Sequence, residues 1–144
     1  MNITLDIDAN ALGKAVEVEL SRIKVPCQDA MADRVYEMID ANIGDTGKFR
    51  PHEWAPLSKG YAKKVGRPHA TLHLTGKLRA SVDMIKGNED AAVVFTDNEY
   101  APYHQLGTEK MPDRPFFPVA NGELTDVAVA ECLKVCEQTI KELV

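Results

Sequence analysis

The stretch Tyr100–Pro118, YAPYHQLGTEKMPDRPFFP, constrains the fold of this chain more than any other segment. Its 19 residues hold two of the four tyrosines, two of the four phenylalanines, four of the eight prolines and one of the four histidines. Rigid prolines and aromatics, broken by Gly107 and by charges at Glu109, Lys110, Asp113 and Arg114, predict a shaped loop between two ordered ends. Such loops carry contacts more often than core. Within it, Tyr100–Leu106 is expected to form a helical turn beside a preceding strand. Gly107–Asp113 is expected to be mobile and to order against a neighbour, and Arg114–Pro118 to re-anchor the chain before its last helix.

The segments before this stretch supply the scaffold. Ile3, Leu5 and Ile7 alternate with polar residues, the period of a half-buried strand. From Asn10 the period becomes helical, with Leu12, Val16, Leu20 and Ile23 on one face and Asp8 or Asn10 as N-cap. Pro26 is expected to end that helix. A second helix then carries Met31, Val35, Met38 or Ile39, and Ile43 on one face and stops at Gly44. Trp54 lies in an irregular segment between two prolines and is expected to pack on the core, its ring N–H reaching a carbonyl or water. A short helix follows, with Ser58 as N-cap, Leu57, Tyr61 and Val65 inward, and Gly66 and Pro68 as its stop.

Thr75–Arg79 reads as the cap and first turn of another short helix. Ser81–Ile85 and Ala91–Thr96 then read as two strands of a hairpin turning at Gly87–Asp90. After Pro118, Leu124, Val127 or Ala128, Cys132, Val135 or Cys136, Ile140 and Leu143 form the stripe of a long closing helix. These elements predict one α+β domain over 1–144: a small antiparallel sheet, the N-terminal strand being a candidate member, packed on one face by helices.

At 144 residues the chain can bury a core without staples. No run of about 18 apolar residues is present, so no membrane span is expected. The start, MNITLDIDAN, lacks the features of a secretory signal and predicts a chain that stays in the cytoplasm. Cys27, Cys132 and Cys136 predict buried or half-buried thiols in a reducing compartment, with the last two on an apolar stripe. The net charge is −5, yet Ser58–Arg79 holds six basic residues (Lys59, Lys63, Lys64, Arg67, Lys77 and Arg79) and no acidic one. Such a basic patch suits a solvated helix face, a nucleic-acid contact, or docking onto the acidic side of a second copy; the acidic total favours the last over nucleic acid.

No catalytic constellation emerges. Phosphate-binding loops, dinucleotide fingerprints, nucleophile elbows and zinc-protease helices are all missing from the sequence. His69 and His73 stand at i, i+4, but no third ligand is at hand, so no metal is expected. His104 lacks a nucleophile and an orienting group in its surroundings. The chain is therefore read as a non-enzyme without cofactors.

Four motifs stand in order: Trp54-Ala-Pro-Leu57-Ser58; Leu74-Thr-Gly-Lys-Leu78 with Ser81 and Val82; Tyr100-Ala-Pro-Tyr-His-Gln-Leu-Gly-Thr108; and Arg114-Pro-Phe-Phe-Pro118. In this order they resemble the virion morphogenesis or tail completion proteins of tailed bacteriophages and Mu-like prophages, with the related minor tail and head-tail joining proteins. The resemblance spans residues 49 to 120. It implies a structural protein of the virion, assembled in the bacterial host cytoplasm as a homo-oligomeric ring. That ring would complete the tail or form part of the head-tail junction, with other tail or connector proteins as partners and incidental contact with phage DNA. On this reading Tyr100, Tyr103, His104, Gln105, Gly107, Thr108, Arg114, Phe116 and Phe117 are candidate interface residues, with the basic patch as a second surface. Since Phe116 and Phe117 are adjacent, at least one is expected to serve the core. The alternative function is a nucleic-acid-binding module using residues 58–79.

Overall fold

The computed structural model describes residues 9–44, 47–56, 58–60, 63 and 76–143, with side chains from Leu20 onward. The expected strand at Ile3–Ile7, the inward face Leu57, Tyr61 and Val65, the stop at Gly66 and Pro68, and the histidine pair His69 and His73 lie outside the described residues, as do Lys64 and Arg67. The fold is α+β. In chain order its elements are α1 (Ala9–Ile43), α2 (Lys77–Ser81), β1 (Val82–Ile85), β2 (Val93–Thr96), α3 (Ala101–Leu106), β3 (Val119–Ala120), β4 (Glu123–Leu124) and α4 (Asp126–Leu143).

The two N-terminal helices expected on either side of Pro26 are one helix of 35 residues with the proline inside it. An interior proline removes a ladder hydrogen bond and crowds the preceding turn, at about 3 kcal/mol. The helix continues through it and runs along α4. Cys136 and Ile140 of α4 share a groove with Leu20 and Ile23 before the proline and with Cys27 and Met31 after it. Contacts between Cys27 and Cys136 and between Arg34 and Glu131 place α4 antiparallel to α1. The helix ends as its stripe predicts, at Ile43 before Gly44.

Two adjacent faces of α1 build the core. Ile39 and Ile43 pack with Trp54, Leu78, Val82, Ala101 and Phe116, while Met38 packs with Phe49, Ala128 and Cys132. Val35 touches both groups. The antiparallel β1–β2 hairpin pairs Val82 with Thr96 and Met84 with Val94 on its covered face. Its other face leaves Asp83, Ile85, Val93 and Phe95 exposed, as the strand period requires. The turn is tied to α1: Lys86 Nζ meets Asp33 at 2.8 Å, and the Gly87 N–H donates to Asp29 at 3.0 Å.

The closing helix begins later than its apolar stripe suggests. Leu124 belongs to β4, paired with Val119, and is exposed. Asn121 and Gly122, with φ of 55° and 80°, make the tight turn that joins β3 to β4. Two successive positive φ values suit an Asn-Gly hairpin loop. Thr125 then caps α4, its hydroxyl accepting the Ala128 N–H at 3.3 Å. From there Ala128 and Cys132 are buried as expected.

Candidate functional site

The site is built on the end of α1. Asn42 is fully buried there, and its amide works in two directions: Nδ2 donates to the Phe116 carbonyl at 3.0 Å, and Oδ1 accepts the Phe49 N–H at 3.0 Å. Arg50 donates from Nε to the Asn42 carbonyl at 3.0 Å and from Nη2 to the Gly44 carbonyl at 2.7 Å, which covers the open carbonyls of the helix end. Its guanidinium carbon lies 3.4 Å from the Trp54 ring centroid, a close cation–π stack. Trp54 in turn donates its ring N–H to the Pro115 carbonyl at 3.0 Å, as its sequence setting predicts.

Residues 114–118 form no regular ladder, yet run through the interior, so their backbone groups must find partners elsewhere. They find them in side chains and in α3. The Arg114 N–H donates to the His104 carbonyl at 2.6 Å. Gln105 Oε1 accepts the N–H groups of both Phe116 and Phe117, at 3.1 and 3.0 Å, and its Nε2 donates to the Phe117 carbonyl at 3.4 Å. The Arg114 guanidinium is buried and donates to the carbonyls of Ala55 and Pro56, both at 3.1 Å. Burial pulls its pKa down, although a guanidinium stays charged at any ordinary pH.

These bonds make α3 a short helix clamped from below. Above the clamp, Tyr100 is 66 %, Tyr103 52 % and Leu106 79 % exposed. His104 faces the other way: its Nδ1 is buried and, among the described residues, has no hydrogen-bond partner. Burial first, and the Arg114 charge second, hold its pKa below the ordinary histidine value. Gly107 leaves the helix with φ 73° and ψ 174°, backbone reserved almost entirely for glycine. Thr108 and Met111 close the following turn, the Thr108 N–H donating to the Met111 carbonyl at 2.8 Å. Gly107–Asp113 thus forms a closed turn, tied at its far end by His52 Nε2 against Asp113 Oδ2 at 2.8 Å.

The candidate residues therefore separate by depth. Tyr100, Tyr103 and Thr108 are exposed, Phe117 is half-buried, and Phe116 is fully buried with its ring centroid 5.1 Å from that of Phe117. Phe116 is the core member of the pair and offers nothing to a neighbour. Gln105, Gly107 and Arg114 shape the surface rather than form it. Asn42 and Arg50 belong to the same site and carry no conspicuous motif. Asn42 falls on the apolar stripe of Val35, Met38 and Ile39, where a buried amide is a signal in its own right.

The basic patch is less uniform than its composition. Lys59, Lys63 and Lys77 are exposed. Arg79 is committed to Asp40, donating to its Oδ2 at 3.0 Å and to its carbonyl at 3.1 Å. Among the described residues no three His, Cys, Asp or Glu side chains gather to hold a metal ion, and no helix is long and apolar enough to cross a membrane. One concavity lies between the two long helices and a second beside α3. A groove of about 660 Å³ between α1 and α4 is lined by Leu20, Ile23, Cys27, Met31, Cys136 and Ile140. Burial, then the neighbouring Cys136, pushes the Cys27 thiol up. A smaller pocket of about 280 Å³ lies between β2 and α3.

What the fold and site define is a small α+β domain that presents an aromatic helix on a hydrogen-bonded base. Comparison with protein families, with curated proteins and with solved structures finds no match to this chain.

Proposed function

We propose that this protein is a structural assembly subunit of a tailed phage. In this role it completes or caps the tail, or joins tail to head, as a ring of identical copies within the virion. The observation that carries the reading is the exposure of Tyr100, Tyr103 and Leu106 on a helix held to the core by four hydrogen bonds through His104 and Gln105. Exposed tyrosines on a preorganised element lose little freedom on binding, which is what a protein-contact anchor needs. The ordered motifs of residues 49–120 supply the phage context, and their glutamine and arginine are the residues that brace this helix. A ring uses one patch against a different patch of the next copy, and the uneven charge of the chain suits that arrangement.

Partners on this reading are further copies of the chain and other tail or connector proteins. The test is deletion of the coding gene from the prophage that carries it, followed by electron microscopy of induced particles. Tails that are unjoined or of uncontrolled length, rescued by the wild-type gene but not by Tyr103→Ala/Leu106→Ala, are the expected result. Full-length infectious virions from the deletion strain would overturn the proposal.

A further inference from the structure

The sequence carries two segments of opposite and undiluted charge. Residues 58–79 hold six bases and no acid, and residues 87–103 hold Glu89, Asp90, Asp97 and Glu99 with no Lys, Arg or His. The second segment borders the 280 Å³ pocket between β2 and α3, where Asp97 stands on the wall with Pro102, Gln105 and Phe117. That pocket has an apolar wall and a carboxylate, the surroundings that suit a lysine: the stem lies along Pro102 and Phe117, and the ammonium meets Asp97. Lys59 and Lys63 are exposed, four residues apart in the sequence.

We propose that the pocket between β2 and α3 of one copy receives Lys59 or Lys63 of a second copy, making the head-to-tail contact of a homo-oligomer. This rests on the self-assembly reading above and names its surfaces. The occupant is a second copy because the chain itself carries the complementary segment. A patch that meets a different patch leaves both free at the ends, so the contact propagates until a ring closes.

Sedimentation equilibrium of the full chain at low and moderate salt tests this, with an acid-reversed variant (Asp97→Lys/Glu99→Lys) and a base-reversed variant (Lys59→Glu/Lys63→Glu). Wild-type protein should self-associate, more weakly as salt rises. Each reversed variant should associate roughly tenfold more weakly or worse. An equimolar mixture of the two should regain association, because every pocket then finds a segment of opposite charge; a misfolded variant cannot do this. A wild-type chain that stays monomeric at its highest soluble concentration overturns the proposal. So do folded variants that associate like wild type, or a mixture that does not recover. Particle morphology in the deletion strain is scored separately, so loss of this contact and loss of the assembly role are distinguishable.

Discussion

Asn42 of α1 donates its amide to the carbonyl of Phe116, 74 residues further along the chain, at 3.0 Å. The same side chain accepts the Phe49 N–H, so one buried amide joins the helix end, the loop after it and the aromatic core segment. Asn42→Ala would leave a buried carbonyl and a buried N–H without these partners. The expected loss is about 3 kcal/mol, read from urea unfolding. An exposed control, Gln138→Ala on α4, should stay within about 0.5 kcal/mol of wild type.

Gln105 acts as a substitute strand edge for Phe116 and Phe117. Gln105→Glu keeps a side-chain oxygen for both N–H groups and loses only the Nε2 donor to the Phe117 carbonyl, whereas Gln105→Leu removes both. Native-state hydrogen exchange should show the Phe116 and Phe117 amides losing protection by about tenfold or more in the leucine variant. The glutamate variant should retain most of it. Equal protection in both would mean that the side chain does not hold this segment.

Two glycines with similar φ should respond differently to alanine. At Gly107 an added Cβ would stand 2.8 Å from the Asp113 nitrogen, on backbone with φ 73°. At Gly87, φ is 78° but nothing lies within 4 Å. Gly87→Ala should therefore lose only about 1 kcal/mol from the strained φ, and Gly107→Ala about 3 kcal/mol or more. Thermal unfolding of the two variants side by side makes the comparison.

The two described histidines should give stability opposite pH dependences. Both ring nitrogens of His52 face acceptors, the Glu53 carbonyl at 2.7 Å and Asp113 at 2.8 Å. The carbonyl bond, then Asp113, raises its pKa from the ordinary 6.5, while burial and Arg114 lower that of His104. A raised histidine stabilises fully below the unfolded value and loses that contribution as pH rises through the folded one. A lowered histidine stabilises fully above the unfolded value and loses it as pH falls toward the folded one. Melting temperatures from about pH 5 to about pH 8 should thus show His52→Gln flattening the alkaline side and His104→Leu flattening the acid side. Both slopes surviving substitution would contradict these assignments.

Local signals in the amino-acid sequence were enough for the α+β class, the hairpin ending at Thr96, the helical turn at Tyr100–Leu106, the inward Trp54 and the closing helix. Each rests on periodicity or turn chemistry within about a dozen residues. The helix through Pro26 is not legible this way, since the element it runs along is α4, joined to it by the contact of Cys27 with Cys136, 109 residues apart in the chain. The start of α4 differs from its apolar stripe, which continues into Leu124, because the Asn121-Gly122 pair makes a hairpin that interrupts it.

The unusual composition of Tyr100–Pro118 sets the stretch apart from the rest of the chain but cannot sort its residues by depth. Phe116 and Phe117 are indistinguishable as sequence. One is core and the other half-buried because Asn42 and Gln105 fix the backbone between them from two different elements. Side-chain hydrogen bonds to an irregular backbone obey no period, so they become visible only when distant segments are brought together. The stretch rich in proline and aromatics is thus a property of the sequence, and its division into a buried base and an exposed tyrosine face is a property of the fold.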